Sequence, residues 1–250
     1  YIQHPLNEKL IQIVKKWMNQ NQIEPYDEVS GKGLVRHILT RVGYRTKEVM
    51  VCLVLNGKKL PKADILVNML KDVPGMTSIC FNVNREKTNV ILGNEVHVLW
   101  GQGYIEDYIG NIKYQIGPLS FYQVNPEQTE KLYSKAVSCA ELKKGDKVID
   151  AYCGTGTIGL IAAKSGADVA GVELNAEAVK DAVSNAKFNK LDNIRFYNED
   201  AGEFMTKLAQ AGESCDTVFL DPPRAGTTEE FVEALGKLRP EKIVYVSCKI

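Results

Sequence analysis

Short continuous apolar runs alternate with stretches of helical spacing along the second half of the chain. Each apolar run is followed by a segment with the apolar period of an amphipathic helix. Strands that alternate with helices in this way predict a parallel sheet covered by helices on both faces. We therefore predict strands at 147–151, 168–173, 194–198, 216–220 and 242–247, with helices at 157–165, 175–189, 201–210 and 228–237 between them.

The first half of the chain has a different order of elements. Apolar residues recur with helical spacing between positions 6 and 18, which predicts a helix with one apolar face. Two runs of β-forming residues, 33–42 and 48–55, flank a polar segment and predict a hairpin. This order is typical of an α+β domain. The remaining predicted elements are a helix at 63–70, with Pro61 in its first turn, and strands at 76–82, 95–100, 104–109 and 111–116.

A turn at Gly117-Pro118 separates the two patterns. Beyond it, Asn125 is predicted to cap a helix that has Pro126 at its first position and Gln128 at its third. We therefore predict two domains. Residues 1–117 form a smaller α+β domain, and residues 118–250 form a Rossmann-like, doubly wound α/β domain with a mostly parallel sheet.

The turn after the first strand of the second domain carries glycines at 154, 156 and 159, and an acid, Asp150, precedes it. This glycine spacing fits a dinucleotide-binding turn, but a carboxylate beside a pyrophosphate would repel it. A carboxylate suits the cationic end of S-adenosylmethionine, and Glu173, at the end of the next strand, could accept from ribose hydroxyls. Asp150, Gly154, Gly156 and Glu173 therefore predict an S-adenosylmethionine site. The alternative is a turn that only connects strand and helix.

Polar or reactive residues close all five predicted strands of the parallel sheet. Because the carboxyl ends of parallel strands meet at one edge, where such sheets bind ligands, we expect these residues to form one site. They are Asp150, Glu173, Asp200, Asp221 and Cys248.

The segment Asp221-Pro-Pro-Arg224 is predicted to form a stiff turn, because two prolines fix φ and remove two N–H donors. Asp-Pro-Pro followed by an aromatic is typical of amino-group methyltransferases, and Arg224 takes the place of that aromatic here. A rigid surface turn without chemistry is the alternative.

Cys248 follows an almost wholly apolar strand, so an ordinary buried thiol is one interpretation. Beside a methyl donor, a thiolate has a specific use. Its addition to carbon 6 of a pyrimidine makes carbon 5 nucleophilic enough to take a methyl group. A base then removes the carbon-5 proton, and the thiolate leaves.

Five motifs in this order resemble those of the uracil-5 RNA methyltransferases, and most of all those of the bacterial 23S ribosomal RNA branch. They are Phe-Tyr-Gln-Val-Asn-Pro-Glu-Gln-Thr at 121–129, Asp-Ala-Tyr-Cys-Gly-Thr-Gly-Thr-Ile-Gly-Leu at 150–160, Gly-Val-Glu at 171–173, Asp-Pro-Pro-Arg-Ala-Gly at 221–226 and Val-Tyr-Val-Ser-Cys at 244–248.

The resemblance implies methyl transfer from S-adenosylmethionine to carbon 5 of a uridine in 23S ribosomal RNA, with S-adenosylhomocysteine as the product. It implies that Cys248 is the nucleophile and forms a covalent adduct at carbon 6. Thr157 stands where some relatives have Asn. The cofactor contacts implied by the resemblance are Gln123, Tyr152, Thr157, Glu173, Asp200 and Asp221.

The chain departs from this family in three places. Ser-Cys is followed by Lys249-Ile250 instead of Asn-Pro, and the chain ends before the position of the general base. The N-terminal barrel and iron–sulfur cluster found in some relatives have no counterpart in these residues. We therefore expect the chain to be part of a longer enzyme whose methyltransferase domain continues beyond residue 250.

The charge of the chain is unevenly distributed. Residues 1–138 carry 17 Lys and Arg against 13 Asp and Glu, whereas residues 139–250 carry 14 against 18. A basic first half fits an anionic substrate, so we predict that domain 1–117 contacts RNA. Arg36, His37 and Arg41 on the first hairpin are the predicted RNA contacts, together with Arg224 and Asp221 in the second domain. A solvated hairpin face is the alternative.

Composition limits the remaining possibilities. The six cysteines and three histidines lack metal-ligand spacing, so no metal is predicted. The sequence has no apolar run long enough to span a membrane, and we expect a cytoplasmic monomer without an obligate protein partner. Three other functions stay open: a tRNA uracil-5 methyltransferase, another RNA base methyltransferase, and an RNA-binding module without catalysis.

Overall fold

A computed structural model describes residues 4–123 and 125–247. The chain divides into two compact units. The first contains Tyr1–Asp107 and Gln115–Leu119, and the second contains Tyr108–Tyr114 and Ser120–Ile250. This division differs from the predicted boundary at 117–118, because residues 108–114 group with the second unit. Within that unit, the Asn189 side chain bonds to both the N–H and the C=O of Lys113, at 3.0 and 2.7 Å.

The first unit contains a four-stranded sheet and two helices. Its core is formed by the apolar face of α1, by α2 and by one face of the sheet. The sheet order is β1-β2-β3-β4, with β2 and β3 parallel and the other two pairs antiparallel, so the predicted hairpin is confirmed as β1 and β2. The elements are α1 (Leu6–Gln20), β1 (Val35–Val42), β2 (Val49–Leu55), α2 (Ala63–Leu70), β3 (Met76–Val83) and β4 (Glu95–Gly101).

The start of α2 differs from the prediction for Pro61. Lys62, the N-cap residue, has a left-handed backbone with φ of 54°, so Pro61 lies before the helix and not in its first turn. The carbonyl oxygen of Lys62 accepts a hydrogen bond from the indole N–H of Trp17 at 3.1 Å. A long-range contact of this kind leaves no local sequence signal.

A two-stranded sheet follows, formed by β5 (Ile105–Ile109) and β6 (Ile112–Ile116). Burial alternates along both strands, which gives the hairpin one buried face. Its residues are divided between the two units.

The second unit confirms the predicted doubly wound α/β fold. Its five-stranded sheet has the order β11-β10-β7-β8-β9, and all four neighbouring pairs are parallel. Asn125 caps α3 as predicted, because its side chain accepts from the Gln128 N–H at 3.3 Å. The elements are α3 (Pro126–Ala140), β7 (Lys147–Ala151), α4 (Thr157–Lys164), β8 (Asp168–Glu173), α5 (Ala176–Phe188), β9 (Ile194–Asn198), α6 (Ala201–Gln210), β10 (Thr217–Leu220), α7 (Glu229–Leu238) and β11 (Lys242–Tyr245).

The strand order reverses between β7 and β10. From β7 the chain builds outward through β8 and β9, and it then returns to build β10 and β11 on the opposite side. Ligands of such sheets bind in the crevice that opens where the order reverses, at the carboxyl ends of the strands. Within residues 4–123 and 125–247, no helix combines the length and apolarity that a membrane crossing requires.

Candidate active site

A cleft of about 1610 Å³ opens at the carboxyl ends of the five-stranded sheet, and all of its wall residues belong to the second unit. The wall contains every predicted cofactor residue except Gly156, and it also contains Arg224. The predicted residues that the structure brings together here are Gln123, Asp150, Tyr152, Gly154, Thr157, Glu173, Asp200, Asp221 and Arg224.

The glycine-rich turn between β7 and α4 shapes the floor of the cleft. Gly154 and Gly156 have φ of 55° and 83°, and Tyr152 shares this left-handed conformation with φ of 63°. A Cβ atom at Gly156 would lie 2.8 Å from Cζ of Phe196, which explains why glycine is required there. Gly156 therefore supports the cleft as the N-cap of α4.

Asp150 is the most buried acid in the wall, with only 1% of its surface exposed. Its Oδ2 accepts from the Gly159 N–H at 2.7 Å, and a Cβ atom at Gly159 would lie 2.9 Å from this oxygen. Gly159, the third glycine of the turn, thus leaves space for the Asp150 carboxylate. Within the described residues, Oδ1 of Asp150 is buried and has no hydrogen-bond partner.

The environment of Asp150 disfavours its charge. The pKa of Asp150 is raised to about 7, mainly by burial; the bond from Gly159 opposes this rise, and the nearby carboxylates of Asp221 and Glu173 add to it. A ligand that brings a cation or an N–H donor to Oδ1 would pair this oxygen, and a cation would also balance the negative charge of the carboxylate.

The acids after β8 and β9 are fixed by backbone N–H groups. Glu173 accepts from Gly154 at 3.0 Å and from Asn175 at 2.8 Å, one bond to each carboxylate oxygen. Asp200 caps α6, and its Oδ1 accepts from Gly202 at 2.8 Å and from the next residue at 3.1 Å. Both carboxylates are therefore held in place, and each carboxylate keeps lone pairs for a ligand hydroxyl.

Asp221 follows β10 and takes part in a hydrogen-bonded chain. Its Oδ2 accepts from the hydroxyl of Tyr133 on α3 at 3.1 Å, and this hydroxyl accepts from Nε2 of Gln123 at 3.2 Å. Burial raises the pKa of Asp221, while the bond from Tyr133 lowers it. The sequence analysis missed Tyr133. Its helical spacing with Thr129 and Ala136 on the buried face of α3 is a signal that could have found it.

The turn after Asp221 contains the two prolines and closes with a bond from the Gly226 N–H to the Pro223 carbonyl oxygen at 2.8 Å. Arg224 lies in this turn, exposed and in the wall of the cleft. The Asp-Pro-Pro-Arg segment thus brings one acid and one cation to the same wall.

The predicted nucleophile Cys248 lies outside the described residues. Its neighbour Ser247 lies in the cleft wall. Cys153 is a second thiol of the wall, but it is only 7% exposed, and burial raises its pKa well above the ordinary value. A thiol that resists ionisation is a poor nucleophile, so Cys153 does not compete for the role assigned to Cys248.

The basic residues of the first unit differ in their environments. The side chain of Arg36 is 1% exposed. Its guanidinium donates to the carbonyl oxygens of Asn84 and Glu86 at 3.1 and 2.7 Å. The same group lies 4.5 Å from the centroid of the Tyr26 ring. Arg36 is therefore held largely by the first unit, although its buried Nε has no partner among the described residues, and its contact with RNA stays a prediction.

His37 and Arg41 also lie on β1. Both are half-buried, and Nη2 of Arg41 donates to the Pro118 carbonyl oxygen at 3.1 Å. Their contact with RNA remains a prediction.

Within the described ranges, no group of three or more His, Cys, Asp and Glu side chains is arranged to hold a metal ion. The acids of the cleft accept hydrogen bonds from backbone N–H groups and from Tyr133. Acceptors spread along the wall in this way suit an organic ligand with several hydrogen-bonding groups.

Comparison with known proteins places this geometry among methyltransferases. A family profile described as "Methyltransferase domain" matches residues 142–243. The chain is 47% identical to an "Uncharacterized RNA methyltransferase" of Clostridium tetani over 99% of this chain and 54% of that protein. It is 44% identical to a protein of the same description from Caldanaerobacter subterraneus over 99% and 55%. The chain thus spans about half the length of these curated relatives.

A solved structure gives the same indication. The chain is 32% identical to the tRNA (uracil-54, C5)-methyltransferase of Pyrococcus abyssi, solved in complex with S-adenosyl-L-homocysteine, with a TM-score of 0.80 over 96% of this chain and 56% of that one. A methyltransferase from Agrobacterium tumefaciens, 18% identical with a TM-score of 0.51 over 86% of this chain and 74% of that one, shares the fold alone.

Proposed function

We propose that this chain carries the catalytic region of an S-adenosylmethionine-dependent RNA methyltransferase that methylates carbon 5 of a uridine. The observation that carries the proposal is the gathering of four carboxylates, from Asp150, Glu173, Asp200 and Asp221, in one cleft at the strand ends. The similarity to RNA methyltransferases and to a tRNA uracil-C5 methyltransferase supports it.

The chemistry of the cleft fits S-adenosylmethionine better than a dinucleotide. The methionine end of this cofactor carries a cationic sulfur and an ammonium group, and its ribose carries two hydroxyl donors. Asp150 has a buried carboxylate oxygen without a partner among the described residues, which such a cation or donor would satisfy. A pyrophosphate would instead meet the like charges of Asp150 and Glu173.

We assign the holding of the cofactor to Asp150, Glu173 and Asp200, with Gln123, Tyr152 and Thr157 as further wall contacts. When bound, S-adenosylmethionine supplies a methyl group made electrophilic by the cationic sulfur that carries it. The exclusion of water from Asp150 strengthens its attraction for the cationic end.

We assign the activation of the base to Cys248. Its thiolate forms a bond to carbon 6 of the uracil, and the electrons of the 5,6 double bond move toward the carbon-4 oxygen. Carbon 5 is then nucleophilic and takes the methyl group. Loss of the carbon-5 proton to a base restores the double bond and expels the thiolate. We assign to Asp221, which lines the cleft, a hydrogen bond accepted from the polar edge of the base during addition.

The natural substrate has two candidates. The motif resemblance favours a uridine of 23S ribosomal RNA, which we propose, with the target base flipped out of its stack into the cleft. The similarity to a tRNA (uracil-54, C5)-methyltransferase favours tRNA as the alternative. We also expect the protein to act in the cytoplasm as a monomer.

A covalent-trapping experiment tests the nucleophile and the base together. The full-length protein is incubated with S-adenosylmethionine and either 23S ribosomal RNA fragments or tRNA, both transcribed with 5-fluorouridine. Fluorine replaces the proton that must leave, so the methylated adduct remains on the enzyme. Mass spectrometry is expected to find it on the peptide that contains Cys248, and the RNA that gives the adduct identifies the substrate class.

Two variants make the result specific. Cys248→Ser is expected to abolish the adduct, whereas Cys139→Ser removes an exposed thiol of α3 and is expected to leave it unchanged. Methylation that survives in Cys248→Ser would point to an amino-group methyltransferase. Absence of S-adenosylmethionine binding in calorimetry would favour an RNA-binding module without catalysis.

A further inference from the structure

Tyr133 is a buried residue of the cleft wall that the mechanism above does not use. It projects from α3, and only 4% of its surface is exposed. Its hydroxyl bonds both to Oδ2 of Asp221 at 3.1 Å and to Nε2 of Gln123 at 3.2 Å. One phenol thus links two wall residues that approach the cleft from different parts of the chain.

We propose that Tyr133 is a positioning residue, whose hydroxyl holds Asp221 ready for the substrate base and Gln123 ready for the cofactor. This inference rests on the proposed function, because it assumes that Asp221 meets the base. Tyr133 itself acts through its two partners.

The directions of the two hydrogen bonds follow from the chemistry of the groups. An ionised Asp221 can only accept, so the Tyr133 hydroxyl must donate its single proton to Oδ2. The hydroxyl oxygen then accepts from the Gln123 amide N–H, which leaves Oε1 of Gln123 as the amide atom able to accept from a ligand. Tyr133 therefore selects one orientation of the amide as well as one of the carboxylate.

The burial of Tyr133 makes this arrangement stiff. Its ring lies on the buried face of α3 with Thr129 and Ala136, where it has little rotational freedom. A buried hydroxyl that lost both partners would leave unsatisfied polar groups, so the three residues stabilise one another in a single geometry.

Tyr133 and several charged groups face or lie near Asp221. Tyr133 faces it from α3, and the carboxylate of Asp150 interacts with it from β7. Glu173 on β8 acts on Asp150 in turn, and Arg224 lies in the same wall three residues after Asp221. Burial raises the pKa of Asp221 and the bond from Tyr133 opposes this rise, so loss of the hydroxyl would move the pKa upward.

The test compares Tyr133→Phe with Tyr197→Phe in the full-length protein. Tyr197 lies on β9 and packs on the Phe204 ring at 4.9 Å between centroids, away from the cleft wall, so it is a matched loss of one hydroxyl. The first readout is the titration of Asp221, followed by carbon-13 NMR of labelled aspartate carboxyls and assigned with Asp221→Asn. The second is the pH profile of kcat/KM for RNA methylation.

In Tyr133→Phe we expect Asp221 to titrate at higher pH than in the wild type, and the acidic limb of the kcat/KM profile to move in the same direction. We expect kcat to fall about tenfold or more, as for loss of a hydrogen bond to a charged group, and the KM for S-adenosylmethionine to rise by a smaller factor, because Gln123 loses the bond that orients its amide. Tyr197→Phe is expected to match the wild type in the Asp221 titration, the pH profile, kcat and KM.

An unchanged Asp221 titration in a folded Tyr133→Phe protein would overturn the inference, because packing alone would then explain the tyrosine. If Tyr133→Phe does not fold, Gln123→Met tests the other end of the chain, and an unchanged kcat there would also count against the inference. The Asp221 titration could shift in Tyr133→Phe even though the wild-type protein does not methylate RNA. That result would leave the positioning role intact and refute the proposed function.

Discussion

Two buried polar side chains, one in each unit, differ in how completely they are hydrogen-bonded. In the first unit, Asn82 donates to the carbonyl oxygens of Gly93 and Glu95 at 2.7 and 3.1 Å and accepts from the Gly93 N–H at 2.8 Å. In the second unit, Asp150 is equally buried, yet one of its two oxygens has no partner among the described residues. The amide is fully hydrogen-bonded within the protein, whereas the carboxylate has one oxygen that a ligand could pair.

The two arginines of the predicted substrate surface show the same difference. Arg36 is buried and donates to two backbone carbonyls, while Arg224 is exposed in the wall of the cleft. Burying a polar group costs free energy unless it is paired. The two bonds from Nη1 of Arg36 therefore favour a structural role, although its Nε has no partner among the described residues, whereas the guanidinium of Arg224 is exposed to a ligand.

The largest expected effect is on the stability of the first unit. Asn82→Ala removes three hydrogen bonds to the 93–95 segment and leaves the Gly93 N–H without its acceptor, so we expect a loss of about 3 kcal/mol in the free energy of unfolding. Denaturant unfolding followed by tryptophan fluorescence measures it, because Trp17 and Trp100 both lie in the first unit.

The matched control is Asn94→Ala, which truncates an exposed asparagine of the same segment and is expected to change the stability by less than about 0.5 kcal/mol. Equal losses in the two variants would show that the hydrogen bonds of Asn82 do not stabilise this segment.

The next effect is on ligand binding by the second unit. Asp150→Asn keeps an oxygen that can accept from the Gly159 N–H but removes the charge, so we expect S-adenosylmethionine affinity to fall roughly tenfold to a hundredfold, as for loss of a charge-assisted hydrogen bond. Stability at pH 8 should not fall, because the substitution removes a charge that burial disfavours. Calorimetry and denaturant unfolding measure the two quantities, and unchanged affinity would make Asp150 a purely structural acid.

Much of the fold could be predicted because its signals are local. Each apolar run of the second unit is followed by glycine or polar residues, so strand ends and helix starts were found to within one or two residues. The cleft followed from topology, since Asp150, Glu173, Asp200 and Asp221 each close a strand and parallel strands bring their carboxyl ends together.

The features that could not be predicted depend on partners that are distant in the chain. Arg36 sits in a cluster of basic residues, and only the fold shows that Asn84 and Glu86, about fifty residues later, take up its guanidinium. The hydrogen bond from Tyr133 to Asp221 likewise joins residues that are 88 positions apart in the chain. Charge clusters and apolar periods do not contain this information.

A smaller effect on ligand affinity is expected when the pH is changed. The pKa of Asp150 is about 7, raised mainly by burial, so a cationic ligand should bind tightly above pH 7 and lose up to about tenfold in affinity per pH unit below it. The stability of the ligand-free protein should change in the opposite sense. Because the folded state holds this proton more tightly than the unfolded state, the contribution of Asp150 to stability increases as the pH falls from about 7 toward 4.

Calorimetric titration of S-adenosylmethionine at several pH values between about 5.5 and 8 measures this dependence. Asp150→Asn is the control, and its affinity is expected to vary much less over the same range. A wild-type affinity that stays constant below pH 7 would show that the ligand does not depend on the Asp150 charge.

The smallest effect concerns Arg224, the open counterpart of Arg36. Arg224→Ala removes one exposed cation from the cleft wall, so RNA affinity should fall by about 1 kcal/mol, and the slope of log affinity against log salt should decrease by about one. Stability should stay the same, because the side chain is exposed. Arg195→Ala, an exposed arginine of β9 outside the cleft wall, is the matched control for binding measured by fluorescence anisotropy. If both variants weaken binding equally, the cation acts through the overall charge of the protein; if only Arg224→Ala does, the open arginine at the cleft contacts a phosphate.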